Sequence, residues 1–235
     1  MAKRHMKTLT APVTWPIKRK TSKFVIRSNP GKLFKYSLPL AIVFKHLLKY
    51  CKTHKEVKAI LQDNEVLVNG QRRKDPKYPL GLLDVLSFSK TKEHFRLLLG
   101  TNKKMYLVTL SPDQAKYRIV KILGKHIIGK DKIQLNLFDS TNMLVKDNTH
   151  KVGDSLIIDF KNKIQKHLAM EKGAYVFLIA GKHIGEHGQV LEINKNMIKI
   201  KTEDSEFETP KEGLIIIGKT KPEINLKWTQ WNKYG

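Results

Sequence analysis

His183, Glu186 and His187 follow the spacing H-x-x-E-H, which inverted zinc proteases use to bring two histidines to one metal ion. That chemistry requires both imidazoles on one face of a helix, so that they can share the zinc. The motif lies within residues 181–188, which include three glycines, and apolar runs typical of β-strands flank it. Glycines at this spacing favour sharp bends and disfavour a helix. We therefore interpret the segment as a glycine-rich loop whose polar residues can approach a phosphate backbone.

Cys51 is the only cysteine, which excludes an internal disulfide and any zinc site built from several cysteines. It lies beside the apolar face of a predicted helix, and no neighbouring pattern indicates an activated thiol, so we expect it to be buried and inert. The sequence also lacks a nucleotide phosphate loop, a dinucleotide-binding fingerprint and a hydrolase nucleophile elbow. These observations predict a protein that is not an enzyme and that uses no cofactor or metal.

Lysine and arginine dominate the ionisable residues, since 45 of them stand against 21 Asp and Glu and give a formal net charge of +24. The first acidic residue is Glu56, and 14 Lys and Arg precede it. A solubilising surface mixes both signs, so this distribution predicts a polyanionic partner. Nucleic acid is favoured over an anionic membrane, because neither end shows a strongly amphipathic basic helix.

The hydrophobic residues indicate where such a protein works. No apolar run approaches the length of a membrane span, and the N-terminal ten residues contain no apolar stretch typical of a signal peptide. We therefore expect a cytoplasmic protein that does not act on a membrane.

The stretch VLVNGQRRK, residues 66–74, predicts how part of the positive charge is held. Residues 66–68 are typical of a β-strand, and Asn69 and Gly70 supply the two positive-φ positions of a tight hairpin turn. The returning strand opens with Arg-Arg-Lys at 72–74, where a hairpin that covers a core would alternate apolar residues. The pattern predicts a cationic hairpin on a rigid turn.

Residues 37–63, just before this hairpin, are predicted to form two helices. The first has one apolar stripe at the spacing i, i+3, i+4, i+7, i+8, made of Leu40, Val43, Phe44, Leu47 and Leu48. The second begins at a capping box, Thr53-x-x-Glu56, and a plausible left-handed residue, Asn64, ends it. Its predicted buried face contains Val57, Ile60 and Leu61. Five lysines fall outside both apolar stripes: Lys45, Lys49, Lys52, Lys55 and Lys58.

Residues 1–36 are predicted to be a basic extension that orders only on a polyanion. They contain Pro12, Pro16 and Pro30 and show no helix or strand period of useful length. Aromatic rings among cations suit stacking on bases or burial against folded RNA. For Trp15 this interpretation and burial in the protein's own core have equal weight.

Past the hairpin, short apolar runs alternate with turn residues, which predicts β-structure. The predicted strands lie at 84–88, 95–99, 105–110, 132–138 and 154–160, and a helix start lies at 111–113. Residues 171–217 then form a separate β unit in which spaced glycines mark the bends of a small barrel. In the C-terminal tail Trp228, Trp231 and Tyr234 have a spacing that permits one aromatic face, either on RNA or on a neighbouring domain.

Two stretches carry a resemblance to known families. The run SLPLAIVFKHLLKY…DVLSF, with LVNG, RR, DP, YP, GL and DV matched at 67–85, resembles the RNA-binding domain named after ribosomal protein S-four. AGKHIGEHGQV at 180–190, within 174–193, resembles the KOW motif of small SH3-like barrels. The two in this order, with a basic arm before them and a β module between them, resemble the archaeal and eukaryotic S-four family of small-subunit ribosomal proteins.

The resemblance implies an α+β protein of five parts. These are a basic extension at 1–36, a helix-pair and hairpin RNA-binding domain at 37–95, a mostly antiparallel central β module at 96–168, a KOW-type SH3-like barrel at 169–220 and an aromatic tail at 221–235. It also implies a structural constituent of the small ribosomal subunit, in the cytoplasm, with small-subunit rRNA and neighbouring ribosomal proteins as partners and no small-molecule substrate.

The rRNA would be recognised by shape and backbone rather than by sequence. The expected rRNA-binding residues are Lys3, Arg4, Lys7, Lys18, Arg19, Lys20, Arg27, Lys45, Lys49, Lys52, Lys55, Lys58, Arg72, Arg73, Lys74, Lys77, Lys182, His183 and His187. An RNA-modifying enzyme would need a catalytic domain, and the residues after the first domain show no motif for one. The main alternative is a KOW-containing transcription-elongation or RNA-chaperone factor that binds RNA reversibly.

Overall fold

The computed structural model describes residues 5–63, 65–129, 132–146, 148–194, 196–202 and 205–226. These divide into two compact units, one formed by residues 5–99 and 103–115 and the other by residues 100–102 and 116–226. All strand pairs among the described residues are antiparallel. None of the helices in this part of the chain is long and apolar enough to cross a membrane.

The first unit is built on a five-stranded sheet with the order β5-β4-β7-β8-β9 and on two two-stranded pairs, β1-β2 and β3-β6. Its strands are β1 Met6–Lys7, β2 Phe24–Val25, β3 Ser37–Pro39, β4 Val66–Val68, β5 Gln71–Arg72, β6 Pro79–Gly81, β7 Val85–Phe88, β8 Glu93–Leu99 and β9 Met105–Thr109. The sheet continues past residue 95, where the first domain is expected to end, because β8 pairs with both β7 and β9.

Two helical segments pack beside this sheet. Helix α1 spans Leu40–Ile42 and continues as a π-helical turn over Val43–Leu47, and helix α2 spans His54–Asp63. The ring of Phe44 meets the ring of Phe88 edge-on at 5.6 Å, and Phe88 meets Phe95 at 6.1 Å. These rings join the helical segment to the sheet in one apolar core.

The first helix is shorter and wider than its apolar spacing predicts. Leu48 N–H donates to the carbonyl of Val43 at 2.9 Å, five residues back, and Lys49 then ends the turn with φ of 56°. Leu40, Val43 and Phe44 are buried as expected, whereas Leu47 and Leu48 are only half-buried. The wider turn explains this, since one extra residue per turn rotates later side chains away from the stripe.

The N-terminal segment is folded into the first unit, which corrects the expectation that it orders only on a polyanion. Strand β1 pairs with β2, with Met6 opposite Val25. Trp15 is 0% exposed, and its indole N–H donates to the carbonyl of Ser37 at 2.9 Å. The structure therefore places this ring in the protein's own core. Burial of a side chain this large is one of the contributions that oppose the entropy lost on ordering the segment.

The second unit contains two five-stranded sheets, with the orders β12-β11-β10-β13-β14 and β18-β17-β16-β15-β19. The strands of the first are β10 Tyr117–Gly129, β11 Lys132–Leu137, β12 Asn142–Val145, β13 Ser155–Asp159 and β14 Ile164–Leu168. Those of the second are β15 Tyr175–Leu178, β16 His187–Ile193, β17 Met197–Lys201, β18 Glu206–Pro210 and β19 Leu214–Gly218. Side chains from β10, β11 and β13, among them Ile122, Leu135 and Ile158, form the core of the first sheet.

Single turns of 3-10 helix complete the described elements, at Thr8–Thr10, Phe34–Tyr36, Gln114–Lys116 and Lys211–Gly213. The helix start expected at 111–113 produces only the turn Gln114–Lys116, with the Ser111 hydroxyl accepting from Gln114 N–H at 3.5 Å. The expected stop at Asn64 lies outside the described residues.

Candidate nucleic-acid interface

The Asn-Gly turn of the cationic hairpin is held in place by the next strand. Asn69 has φ of 49° and Gly70 has φ of 75°, which are the two left-handed positions that such a turn needs. The Asn69 side-chain oxygen accepts from Val85 N–H at 2.9 Å, and its amide donates to Asp84 Oδ1 at 2.8 Å. The turn predicted from the sequence is confirmed, and its side chain ties the hairpin to β7.

Asp84 connects three parts of the first unit. It is only 2% exposed, and besides Asn69 it accepts from Gly81 N–H at 2.6 Å and pairs with the ammonium group of Lys32. A buried carboxylate with these partners fixes the hairpin, the β6 loop and the N-terminal segment relative to one another.

The hairpin and the following loop present their cations in different ways. Arg72, Lys74 and Lys77 are exposed, while Arg73 is half-buried. The Arg73 guanidinium lies over the Tyr78 ring, 4.4 Å from its centroid, and Arg72 Nη2 donates to the carbonyl of Gln62 near the end of α2 at 3.2 Å. Arg72 is therefore positioned against the helix, and Arg73 has a packing role within the protein.

Most lysines of the helical segments are exposed, and two of them act on His54, the first residue of α2. Lys49, Lys52, Lys55 and Lys58 are exposed and Lys45 is half-buried. Burial, followed by the charges of Lys58, Lys45 and Lys77, lowers the pKa of His54, although Asp75 opposes this. Burial and Lys45 likewise lower the pKa of His46. The structure thus brings Lys45, Lys58 and Lys77 together, from three different elements.

The two histidines His46 and His54 were missed by the sequence analysis. Scattered histidines near lysines carry no spacing that distinguishes them, and His54 is 30 positions away in sequence from the β2 residue Phe24, which lines the same cleft. The only sequence signal was the position of His54 directly after the capping threonine.

The cations expected on the N-terminal arm are divided between surface and interior. Lys7, Lys18, Lys20 and Arg27 are exposed. Arg19 instead donates to the carbonyls of Leu9, Ala11 and Pro12 at 3.0–3.2 Å, so its guanidinium stabilises the fold of the segment. Lys3 and Arg4 lie outside the described residues.

The glycine-rich motif is a turn followed by the start of β16, not a helix. His183 stacks on the Phe207 ring at 3.8 Å and donates to Glu186 at 3.0 Å, while His187 Nδ1 and the Tyr175 hydroxyl share a hydrogen bond of 2.8 Å. The two histidines therefore have separate protein partners. In the described ranges, no group of three or more His, Cys, Asp and Glu side chains is arranged to hold a metal ion.

Two of the three glycines of this motif, Gly185 and Gly188, approach protein rather than open space. A Cβ at Gly185, where φ is +85°, would lie 2.3 Å from the carbonyl carbon of Gly100, and one at Gly188 would lie 2.3 Å from the carbonyl oxygen of Lys201. The expected close backbone approach is present, but its partner is the chain itself. Lys182 is exposed beside the turn.

Two further expectations concern aromatic and sulfur groups. Cys51 is buried, and burial, with a smaller contribution from Glu56, raises the pKa of its thiol, which disfavours the reactive thiolate. Trp228, Trp231 and Tyr234 lie outside the described residues.

Comparison with family models matches three segments of the chain. Residues 91–164 match the ribosomal family S4e, residues 2–31 match the RS4NT (NUC023) domain and residues 46–86 match the S4 domain. The last range includes α2 and the cationic hairpin.

Relatives align with almost the whole chain. The small ribosomal subunit protein eS4 of Methanocella arvoryzae is 38% identical, over 95% of this chain and 98% of the relative. The eS4 protein of Methanocaldococcus jannaschii is 34% identical, with the same shares. The crystal structure of 30S ribosomal protein S4e from Thermoplasma acidophilum, 23% identical, superposes with a TM-score of 0.66 over 79% of this chain and 95% of that one, which supports the same mostly antiparallel fold. The chain belongs to the eS4 family of small ribosomal subunit proteins.

Proposed function

We propose that this chain is a structural constituent of the small ribosomal subunit in the cytoplasm and that it stabilises folded small-subunit rRNA. The relatives are small ribosomal subunit proteins, and their family is not enzymatic. The chain therefore has a binding role in translation, and reversible binding as a transcription or chaperone factor is not favoured.

The observation that carries this proposal is a set of eight cations, most of them exposed, on and between the helical segments, the hairpin and the loop that follows it, which we call the basic face. It consists of Lys45, Lys49, Lys52, Lys55, Lys58, Arg72, Lys74 and Lys77. Asn69 and Asp84 fix the hairpin, and a capping box fixes the start of α2. Cations on preorganised elements bind phosphates with a smaller loss of order, and an arginine fork can grip a phosphate with two hydrogen bonds.

The remaining predicted parts fit this role. The exposed N-terminal cations Lys7, Lys18, Lys20 and Arg27 extend the basic surface, and Lys3 and Arg4 would add to it. We assign residues 169–220 to a KOW-type SH3-like barrel, supported by the five strands β15–β19 and the tight turn at Gly185. Lys182 is the exposed cation of that turn and its proposed rRNA contact. His183 and His187 have partners within the protein, so we leave them out of the proposed interface.

A charge-reversal pair tests the basic face. Arg72→Glu with Lys74→Glu changes two exposed cations and leaves Arg73, which packs on Tyr78, in place. Each lost phosphate contact reduces the slope of log affinity against log salt by about 1. We therefore expect the pair to lower the slope for transcribed small-subunit rRNA by about 2 and to weaken binding severalfold, while the chain stays folded. Loss of the exposed Arg72 hydrogen bond to Gln62 lowers the melting temperature only slightly.

The matched control is Lys90→Glu with Lys92→Glu, in the turn between β7 and β8. These lysines are exposed in the same unit. Their turn lies at the opposite end of the β4–β7 pair from Asn69, because Phe88 faces Val66 while Leu86 faces Val68. Equal losses in both pairs would reject the basic face as the interface and leave only a general charge effect.

A further inference from the structure

A cleft of about 630 Å³ opens in the first unit between strand β2 and the helical residues that follow β3. Phe24 and Val25 form one wall, and Ala41, Ile42 and Lys45 belong to the other. Pockets that hold one small ligand measure about 300–1,000 Å³. The cleft therefore has the size for a compact group rather than for a helix of RNA.

One wall offers an exposed aromatic ring. Phe24 is 49% exposed, although the strand pair β1-β2 fixes its backbone opposite Lys7. The His5 ring lies 5.7 Å from the Phe24 ring in a tilted arrangement, and Lys23 Nζ lies 5.7 Å from the same centroid. A ring held in this way, beside cations and open to solvent, is a platform on which a nucleic-acid base can stack.

The other side of the cleft offers cations and imidazoles. Lys45, His46, His54 and Lys77 all line it. The backbone of Lys77 is fixed, because its carbonyl accepts from Asn29 N–H at 2.9 Å and its own N–H donates to Asp75 Oδ1 at 2.9 Å. Asp75 is the acidic group that acts on His54, and its carboxylate accepts hydrogen bonds from Lys77 N–H and from the side-chain amide of Asn29.

We propose that this cleft binds one unpaired nucleotide of the RNA, with its base on Phe24 and its phosphate between Lys45 and Lys77. His46 and His54 then supply ring nitrogens that can hydrogen-bond the sugar or the base edge. The proposal rests on the proposed function and deepens it, since it assigns a single-nucleotide site beside the basic face. The basic face contacts phosphates of folded RNA, whereas this site requires a nucleotide whose base is not stacked on its neighbours in the RNA.

The test uses the full chain bound to transcribed small-subunit rRNA, with base-specific and 2′-hydroxyl chemical probing of the complex. Phe24→Leu keeps apolar volume but removes the stacking face, and Lys77→Gln removes the cation. In both variants we expect one unpaired nucleotide, protected by the wild-type chain, to regain reactivity while the rest of the footprint persists. Loss of base stacking should also weaken binding by about tenfold.

Two matched variants serve as controls. Phe34→Leu makes the same change at a ring that is 39% exposed and does not line the cleft, and Lys55→Gln removes an exposed lysine outside it. Both should keep the nucleotide protected. The proposal is overturned if Phe24→Leu and Lys77→Gln, with wild-type melting temperatures, leave every protection in place, or if they weaken the whole footprint evenly. If the wild-type chain does not bind the rRNA, the proposed function and this site are both overturned. If the wild-type chain binds and the two variants give either of the results just named, only the site is overturned.

Discussion

At the residue scale, the side chains of this cationic protein fall into two groups that their types do not distinguish. Lys55, Lys74 and Lys77 are exposed on the basic face. Arg19 and Lys121 instead donate to backbone carbonyls within the protein. Cations of the second group stabilise the fold that presents the first. A count of lysines and arginines therefore overstates the surface that RNA can contact.

Asp84 is the residue whose loss should disturb both the fold and the binding. Asp84→Ala leaves Lys32 and Asn69 without their buried acceptor and removes one of the hydrogen bonds that hold the hairpin turn. Breaking a buried pair costs about 3–5 kcal/mol of the free energy of unfolding. We expect a loss of that size in urea unfolding, together with weaker rRNA binding. Asp63→Ala, at an exposed carboxylate of the same unit, should change neither, and similar effects in both variants would contradict this role.

Lys121 should give the stability of the second unit a defined pH dependence. It is 4% exposed, donates to the carbonyls of Lys211, Glu212 and Leu214 at 2.7–3.2 Å, and burial lowers its pKa to about 8. A lysine pKa below the unfolded value means that the unfolded chain binds more protons above pH 8, so stability rises from about pH 8 towards 10.5.

Each pKa unit corresponds to about 1.4 kcal/mol, so the free energy of unfolding should rise by about 3 kcal/mol in total. Urea unfolding by circular dichroism between pH 7.5 and 10 measures it. Higher pH is avoided because Tyr50 of the first unit, whose pKa is raised to about 12 chiefly by burial, makes the stability of that unit fall above pH 10, and circular dichroism records both units together. Lys121→Met should abolish the rise and the exposed Lys172→Met should retain it. A flat wild-type profile would refute the assignment.

At the element scale, short sequence motifs predicted the local structure correctly where few contacts with distant residues act on the same segment. The Asn-Gly turn and the capping box are confirmed. The first helix follows its apolar stripe only up to Phe44 and then widens into a π-helical turn. Strand β10 was missed, because the register shifts between Ile122 and Gly124 and the buried Lys121 breaks the apolar alternation.

The capping box offers a prediction for one element. Thr53 Oγ1 accepts from Glu56 N–H at 3.2 Å, and the Glu56 carboxylate accepts from Lys52 N–H at 2.8 Å and from Thr53 N–H at 3.4 Å. Thr53→Ala should lower the free energy of unfolding by about 1 kcal/mol and speed hydrogen exchange in α2. Thr53→Ser keeps the hydroxyl and should restore both values, and failure to do so would show that the cap is not the cause.

These hydrogen bonds also give the cap a pH dependence. They lower the pKa of Glu56, with the Lys52 N–H as the largest cause. The stabilisation is therefore present above the unfolded carboxyl pKa and is lost as the pH falls through the folded value.

At the scale of the whole molecule, two units that are each mostly antiparallel carry a net charge of +24. Such a charge repels itself unless a polyanion is bound. The chain belongs to a family of small ribosomal subunit proteins, and the ribosome contains such a polyanion, its RNA. We therefore expect the isolated chain to bind rRNA in a salt-dependent way and the assembled subunit to keep the chain bound even at high salt.

Raising the salt concentration should therefore affect the purified chain and the assembled subunit differently. The purified chain should lose affinity for transcribed rRNA by about a thousandfold between 50 and 200 mM salt, as expected for six or more phosphate contacts. A tagged chain in gently lysed cells should still sediment with the small subunit at moderate and at high salt, because many contacts form together in the assembled particle. Release at moderate salt, or sedimentation with a polymerase, would contradict a structural role.

The sequence by itself determined the antiparallel β character, the hairpin, the capping box and the polyanionic partner, because each depends on residues close in sequence or on total charge. Tertiary structure alone decided that Trp15 is buried with its indole N–H on the Ser37 carbonyl, that Arg19 donates to backbone carbonyls and that the first sheet extends to β9. It also decided that Phe24, Lys45, His54 and Lys77 share one cleft. The burial of Trp15 and the cleft depend on residues more than 20 positions apart, and the Arg19 contacts depend on how the segment folds back on itself. No local pattern specifies which of many cations or rings will meet.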